Sequence, residues 1–239
     1  MSISLAGEIT VSGSIRAKIE TIGDPYWNNV GMLVPADSAV EVKTNASVST
    51  KFGTPVWGSI VQTKFNGSLY LDGSSSVSID DSNVQNLGSA WTIEAWVYIN
   101  TWSGGDGHVA SAYISGGSNL NWAIYGSGGG DLNVLVGSGT SASFDIVSGI
   151  DLAVPIGAWH HIAATWDGTT YRGFTDGILK GSVVSSTPMG IIDSNVVLGS
   201  NPSVPFAFLN GYIDDFRITK NVARYTTNFT PPTAAFPTF

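Results

Sequence analysis

Alternation of apolar and polar side chains is clearest over Trp91–Asn100, WTIEAWVYIN, where Trp91, Ile93, Ala95, Val97 and Ile99 form one apolar row. Thr92, Glu94, Trp96 and Tyr98 form the other row, so this stretch predicts a β-strand with its first row turned to a core. Between Gly157 and Gly181, GAWHHIAATWDGTTYRGFTDGILKG, three β-branched and aromatic runs are separated by Asp167-Gly168 and Asp176-Gly177. Asp-Gly suits the positive φ angles of a type I′ turn, so the stretch predicts a three-stranded meander. Within Trp159–Trp166 neither alternate set is cleanly polar, which predicts a strand at least partly covered on both faces.

Residues 2–22 alternate as well: Val11, Gly13, Ile15, Ala17 and Ile19 against Ser12, Ser14, Arg16, Lys18 and Glu20. They predict an N-terminal β arm, residues 1–23, that ends at the break Gly23-Asp24-Pro25, with the main domain over 24–239. Such an arm either joins the sandwich or adds to a sheet edge of another subunit. Further strands are predicted at Tyr26–Pro35, on both sides of Asp72-Gly73 within Phe65–Ile79, and at Val109–Ile114, Asn121–Tyr125, Leu132–Val136 and Ser143–Val147. Ser182–Ser185, Val196–Leu198 and Gly211–Thr219 follow, while residues 36–64 predict a surface excursion with one or two short strands. The tail Val222–Phe239 carries Pro231, Pro232 and Pro237 and should run extended over the surface. No helix beyond a turn or two is expected. About twelve short, evenly spaced strands predict a two-sheet sandwich.

Composition agrees with this pattern. Charged residues make up 12% of the 239, against about a quarter in an average chain, and 29 glycines imply many turns. The formal charge of −8 argues against a nucleic-acid partner. With no cysteine there is no disulfide framework, thiolate nucleophile or Cys-ligated zinc. The segment MSISLAGEITVSG lacks the basic and continuously apolar regions of a secretory signal, and no run approaches the roughly 18 apolar residues of a membrane helix. The expectation is a chain kept in the cytosol or exported by another route, without membrane insertion.

Four blocks, FNGSLYLDG (65–73), WTIEAWVYI (91–99), GAWHHIAATWDGTTYRGFTDG (157–177) and GYIDDFRITKNVARYTTNFTPP (211–232), resemble in order and spacing the laminin-G-like members of the concanavalin A-like lectin/glucanase superfamily. The last block and the opening DPYWNNV (24–30) are similar to domains found in bacteriophage structural proteins. The resemblance implies an all-β fold: a two-sheet antiparallel jelly-roll sandwich, concanavalin A-like, here with a short N-terminal β arm. Members bind glycans, bind proteins or display a surface, and some hydrolyse polysaccharides; fold alone does not choose.

The hydrolytic members resembled here place carboxylates at alternate positions of one strand, with nucleophile and acid about 5 Å apart. This chain has no such triplet: Glu94 stands alone and Asp214-Asp215 are adjacent, so alternation sends them to opposite faces. No enzymatic activity is expected, and no catalytic residue is assigned. Glu94, Trp96 and Tyr98 share one strand face. Either they form a sugar platform, or the rings pack under a loop and Glu94 pairs with an arginine; the second reading is favoured because buried aromatics are common in sandwiches. Trp102, Trp122 and Tyr125 lie in or beside Gly-rich loops (Gly104, Gly105, Gly126, Gly128) and are expected to be exposed and to contact a ligand. His160 and His161 are neighbours with His108 distant, which predicts structural histidines rather than a zinc site. Many relatives carry a structural calcium near the last strand, which the resemblance places at Asp214 or Asp215; the alternative is pairing with Arg217 or Arg224 and a turn cap.

These observations favour a non-enzymatic bacteriophage virion protein, a capsid decoration, fibre or tail component assembled in the host cytoplasm. Its arm would attach to other virion proteins, its sandwich would read host-surface glycans, and it would form a homo-oligomer. A free lectin or adhesin is the alternative, with a glycoside hydrolase behind it.

Overall fold

A computed structural model describes residues 7–11, 15–19, 23–41, 43–44, 46–80, 84, 86–102, 107–114, 119–127, 131–141, 143–191, 193–201 and 206–239. Alternating apolar residues and frequent turns produce seventeen antiparallel strands among them. One sheet runs β15 (Ile178–Val184), β14 (Thr170–Thr175), β13 (Trp159–Trp166), β8 (Trp91–Thr101), β17 (Asn210–Lys220), β6 (Ser68–Asp72) and β5 (Val56–Ser59), and β3 (Val30–Val34) also pairs with β17. The other runs β12 (Val147–Asp151), β11 (Asp131–Val136), β10 (Asn119–Ser127), β9 (Gly107–Ile114), β16 (Val196–Leu198), β7 (Ser76–Asp80) and β4 (Ser47–Phe52). The two face each other as a jelly-roll sandwich. β1 (Gly7–Val11) and β2 (Ile15–Ile19) pair in a two-stranded sheet of their own, so the arm is a hairpin.

The core lies between the two large sheets. β8 contributes the row Trp91, Ile93, Ala95, Val97 and Ile99, opposite Ala110, Trp122, Ile124, Val134 and Leu198 from the second sheet. Burying side chains of this size stabilises by about 1.5–3 kcal/mol each. The strands flanking Asp72-Gly73 do not pair with each other: Gly73, at φ +85°, turns a corner that carries β6 into one sheet and β7 into the other.

Sequence and structure part at three places. Seventeen strands form among the described residues against about twelve expected, although the two in the surface excursion and the hairpin of the arm fall where strands were expected. The strand placed at Ser143–Val147 lies instead at Val147–Asp151, where Val147 and Ile150 enter the core and pair along β11. The two Asp-Gly turns also differ. Asp176 (φ +50°) and Gly177 (φ +76°) form the type I′ pair. At Asp167-Gly168 only the glycine is left-handed, and Asp167 Oδ1 organises a wider loop by accepting from the backbone N–H groups of Thr169 and Thr170, both at 2.9 Å.

The tail crosses the outer face of the eight-stranded sheet without forming a strand. The Phe229 N–H bonds the Gly177 carbonyl at 2.9 Å, Tyr225 and Phe229 stack at 3.5 Å, and Phe236 packs with Val30 and Leu33. The Asp24 N–H reaches the carbonyl of Phe239 at 2.9 Å.

Candidate functional site

On β8 the row facing away from the core is covered. Glu94 is fully buried; its Oε1 accepts from Arg217 Nε (3.0 Å) and Nη2 (2.8 Å), and its Oε2 accepts from the Tyr225 hydroxyl (2.8 Å) and lies 3.2 Å from His161 Nε2. Arg217 Nη1 reaches Asp24 Oδ2 at 2.8 Å, and Arg224 holds the same carboxylate at 2.7 and 3.0 Å. Burial alone would raise the Glu94 carboxyl, but the charge of Arg217, with His161 and Arg224, brings it down to about 2. Trp96 is 5% exposed, with Lys64 Nζ 3.6 Å above its ring. Tyr98 is half-buried in an in-register aromatic row, Tyr70–Tyr212–Tyr98–Trp159. The packed reading of Glu94 and Trp96 is the one the structure supports.

Asp214 and Asp215 are both 1% exposed and sit where β17 bulges, Asp215 at φ +48°. The bulge breaks the simple alternation expected of neighbours. Asp214 Oδ2 accepts from the Phe65 N–H at 3.1 Å and Asp215 Oδ2 from the Phe236 N–H at 2.6 Å. Burial raises Asp214 to about 7 against the opposing N–H bond, and the charge of Asp37 adds to the rise. Asp215 stands at about 8, raised by burial first and then by Asp214 and Asp37. Neither is ion-paired among the described residues. The alternative of pairing with Arg217 or Arg224 is therefore not what forms: those arginines belong to Glu94 and Asp24. Hard, uncompensated oxygen donors suit calcium, yet no three His, Asp or Glu side chains gather into a metal cluster among the described residues. Backbone carbonyls or waters would have to complete any shell.

Of the three aromatics expected at a ligand, only Tyr125 reaches an open cavity. Trp122 is 2% exposed and lies in the sandwich core, a correction to its expected exposure. Its parity explains this: Trp122 and Ile124 point inward, whereas Ala123 and Tyr125 point outward from β10. Trp102 is half-buried and packs against the core. A Cβ on Gly126 would collide with its ring, and one on Gly107 would sit 3.0 Å from it. Gly126 therefore makes room for Trp102 and not for a ligand; Gly104, Gly105 and Gly128 lie outside the described residues. Tyr125 borders a cavity of about 210 Å³, lined also by His108, Leu135, Phe144, Asn201 and Phe206. The His108 and Tyr125 rings are 4.8 Å apart, His108 and Asn201 are 3% and 5% exposed, and Phe206 is 52% exposed. An apolar concavity with a few fixed polar groups suits a sugar ring, whose C–H face packs on aromatics while its hydroxyls find partners. Tyr125 was expected at a ligand because of the Gly-rich loops beside it, and the alternation of β10 would have parted it from Trp122; Phe144, Asn201 and Phe206 arrive from loops that carry no periodic signal. The other histidines stand apart from this cavity: His160 Nδ1 is 2.7 Å from Asp176 Oδ2, and His161 belongs to the Glu94 cluster.

Among known proteins, the laminin-G model of the concanavalin A-like lectin/glucanases superfamily matches residues 71–224. No curated protein matches the sequence. Solved structures do. The binding domain of botulinum neurotoxin DC in complex with SialylT superposes with a TM-score of 0.63 at 14% identity, over 83% of this chain and 50% of that one. The same domain in complex with rat synaptotagmin II gives 0.62 at 14%, with the same coverage. Domain 4 of AbnA, a GH43 extracellular arabinanase from Geobacillus stearothermophilus, in complex with arabinotriose, gives 0.55 at 18%, over 80% of this chain and 92% of that domain. This chain thus spans about half the length of the toxin domains it matches. At these identities the likeness is one of fold.

Proposed function

Because the chain belongs to the concanavalin A-like lectin/glucanases superfamily, we propose that it is a non-enzymatic binding protein that seats a sugar ring in the Tyr125 cavity. The cavity itself carries the reading: rings of Tyr125, Phe144 and Phe206 around buried His108 and Asn201. That domains of this fold are seen with SialylT and arabinotriose agrees with it. One ring stacked on sugar adds on the order of 1 kcal/mol, so a single site is weak and useful adhesion needs many copies. A glycan array probed with a multivalent display of the protein is the test. Binding should fall on Tyr125→Ala and on Phe206→Ala; binding unchanged by both places the site elsewhere.

The biological setting we infer is a bacteriophage virion, with the sandwich displayed and the β1–β2 hairpin attached to a neighbouring virion protein or to a second copy. Support comes from the blocks at 24–30 and 211–232 and from the hairpin's being a sheet separate from the sandwich. Antibody labelling of intact virions under the electron microscope should decorate them; unlabelled particles would refute the setting. Hydrolysis has no support in Glu94, whose two oxygens are committed to Arg217, Tyr225 and His161. β-Glucans incubated with the protein should release no reducing sugar, and release abolished by Glu94→Gln in a variant that circular dichroism shows to be folded would reverse this reading.

One calcium belongs to the proposal, held by the carboxylates of Asp214 and Asp215. When bound it would neutralise two buried acids and tie β17 to the segments packed against it. Calcium should raise Tm at pH 8 and EDTA should lower it, with no response in Asp215→Asn; a Tm indifferent to both additions would remove the ion.

A further inference from the structure

A second cleft opens on the eight-stranded sheet's side of the molecule, where β3 meets the end of β17. Its volume is about 300 Å³, and its side-chain lining is Asn28, Asn29, Lys43, Thr44, Lys220 and Asn221. Among the described residues no carboxylate lines it, although the chain carries 18 acidic residues against 10 basic ones. The cleft shares no lining residue with the Tyr125 cavity, whose lining comes from β9, β10, β11 and the loops after β11 and β16.

The charge here is arranged, beginning with Glu41. That carboxylate is fully buried and turned into its own loop. Its Oε1 accepts from the N–H groups of Leu33 and Lys43, both at 2.8 Å, and its Oε2 from the Thr44 N–H and hydroxyl, both at 2.7 Å. With its oxygens saturated by these donors, Glu41 fixes Lys43 and Thr44 at the cleft without pairing with the lysine. The Lys43 ammonium instead donates to the Trp27 carbonyl at 2.6 Å and lies 4.0 Å from the Trp27 ring. Both partners are uncharged, so they orient the cation and leave its charge uncancelled. Lys220 crosses the floor: a Cβ on Gly31 would come within 2.9 Å of its Cδ. It makes no ion pair among the described residues. Asn221, left-handed at φ +57°, spends its Oδ1 on the Ser89 N–H at 3.3 Å, which leaves its amide nitrogen as a donor. Two cations therefore border one cleft, and among the described residues neither is ion-paired, the Glu41 carboxylate lying buried and spent on backbone and hydroxyl donors.

We propose that this cleft is a second ligand site, which takes an acidic sugar with its carboxylate between Lys43 and Lys220. The volume suits one sugar ring, and three asparagine amides offer the mixed donors and acceptors that ring hydroxyls require. A neutral sugar would leave the two ammonium charges uncompensated. An inorganic anion would satisfy them but leave the amides idle. The site differs in chemistry from the aromatic cavity, so the same molecule would read two features of an anionic glycan.

Titration of the 15N-labelled protein with D-glucuronate, D-glucose and inorganic phosphate at equal ionic strength tests this. Glucuronate should shift the amides of Gly31, Thr44 and Asn221, saturating at millimolar concentration, while glucose leaves them in place. Lys220→Gln should weaken the interaction about fivefold, as loss of one partly exposed charge contact implies, and the Lys43→Gln, Lys220→Gln pair should abolish it. Thermal melts keep loss of fold apart from loss of binding. Tyr125→Ala should leave the glucuronate shifts intact, so failure of the first site and failure of this one are separable. Equal shifts with glucose, equal affinity for phosphate, or binding that survives the double replacement would each overturn the proposal.

Discussion

Around Glu94 a buried carboxylate, two arginines and a tyrosine share one set of hydrogen bonds and ion pairs, with His161 Nε2 3.2 Å away, and Asp24 closes the set from the other end of the domain. Removing one partner leaves an uncompensated charge inside the protein, so Glu94→Gln should cost about 3–5 kcal/mol in urea denaturation. An indifferent midpoint would mean the cluster contributes nothing net. Glu94 is lowered to about 2 and Asp24 is also lowered, burial opposing and the arginines prevailing. Their stabilisation is present above the ordinary carboxylate range and fades as pH falls toward about 2. Asp214 and Asp215 act with the opposite sign. Raised to about 7 and 8, they favour the fold while protonated, and that contribution is lost as pH rises through those values. In EDTA, Tm should therefore decline between pH 5 and pH 9. Asp215→Asn should flatten the decline, and a wild-type Tm constant across that interval would refute it. Trp122→Ala should cost about 3–5 kcal/mol as a core deletion and should not be used to probe glycan binding.

Among the elements, β8 and the β13–β15 meander were legible because periodicity and Asp-Gly punctuation coincide there. What alternation does not encode is partner choice. Nothing in Ser68–Asp80 announces that the two strands about Gly73 leave for different sheets. Likewise Ser143–Val147 has the composition of a strand, yet pairing with β11 selects Val147–Asp151. The candidate sites divide in the same way. Tyr125 could be placed from the parity of β10, whereas Phe206, Asn201 and Glu41 act through loop geometry that only the fold supplies. The β1–β2 hairpin makes its own sheet, so a chain beginning at Asp24 should keep the Tm of the full protein and lose oligomerisation or virion attachment. Differential scanning calorimetry with light scattering decides this: a much lower Tm would make the arm part of the sandwich.

At the scale of the whole molecule, the tail does what a further strand would do for the eight-stranded sheet, covering its outer face with Tyr225, Phe229 and Phe236. Ending the chain after Lys220 removes Arg224, Tyr225 and the Asp215 contact together. Such a variant should be recovered unfolded or aggregated, and a folded product would show the tail to be ornamental. Among the described residues the outer face of the other sheet carries the Tyr125 cavity. The hydrogen bond from Asp24 to the carbonyl of Phe239 has a separate consequence. The two ends of the sandwich leave the body at one point, so the domain needs only a single doorway. It can be spliced as a cassette into an exposed loop of a host protein without prising that loop apart, and joining its ends by a short linker should permit new termini elsewhere.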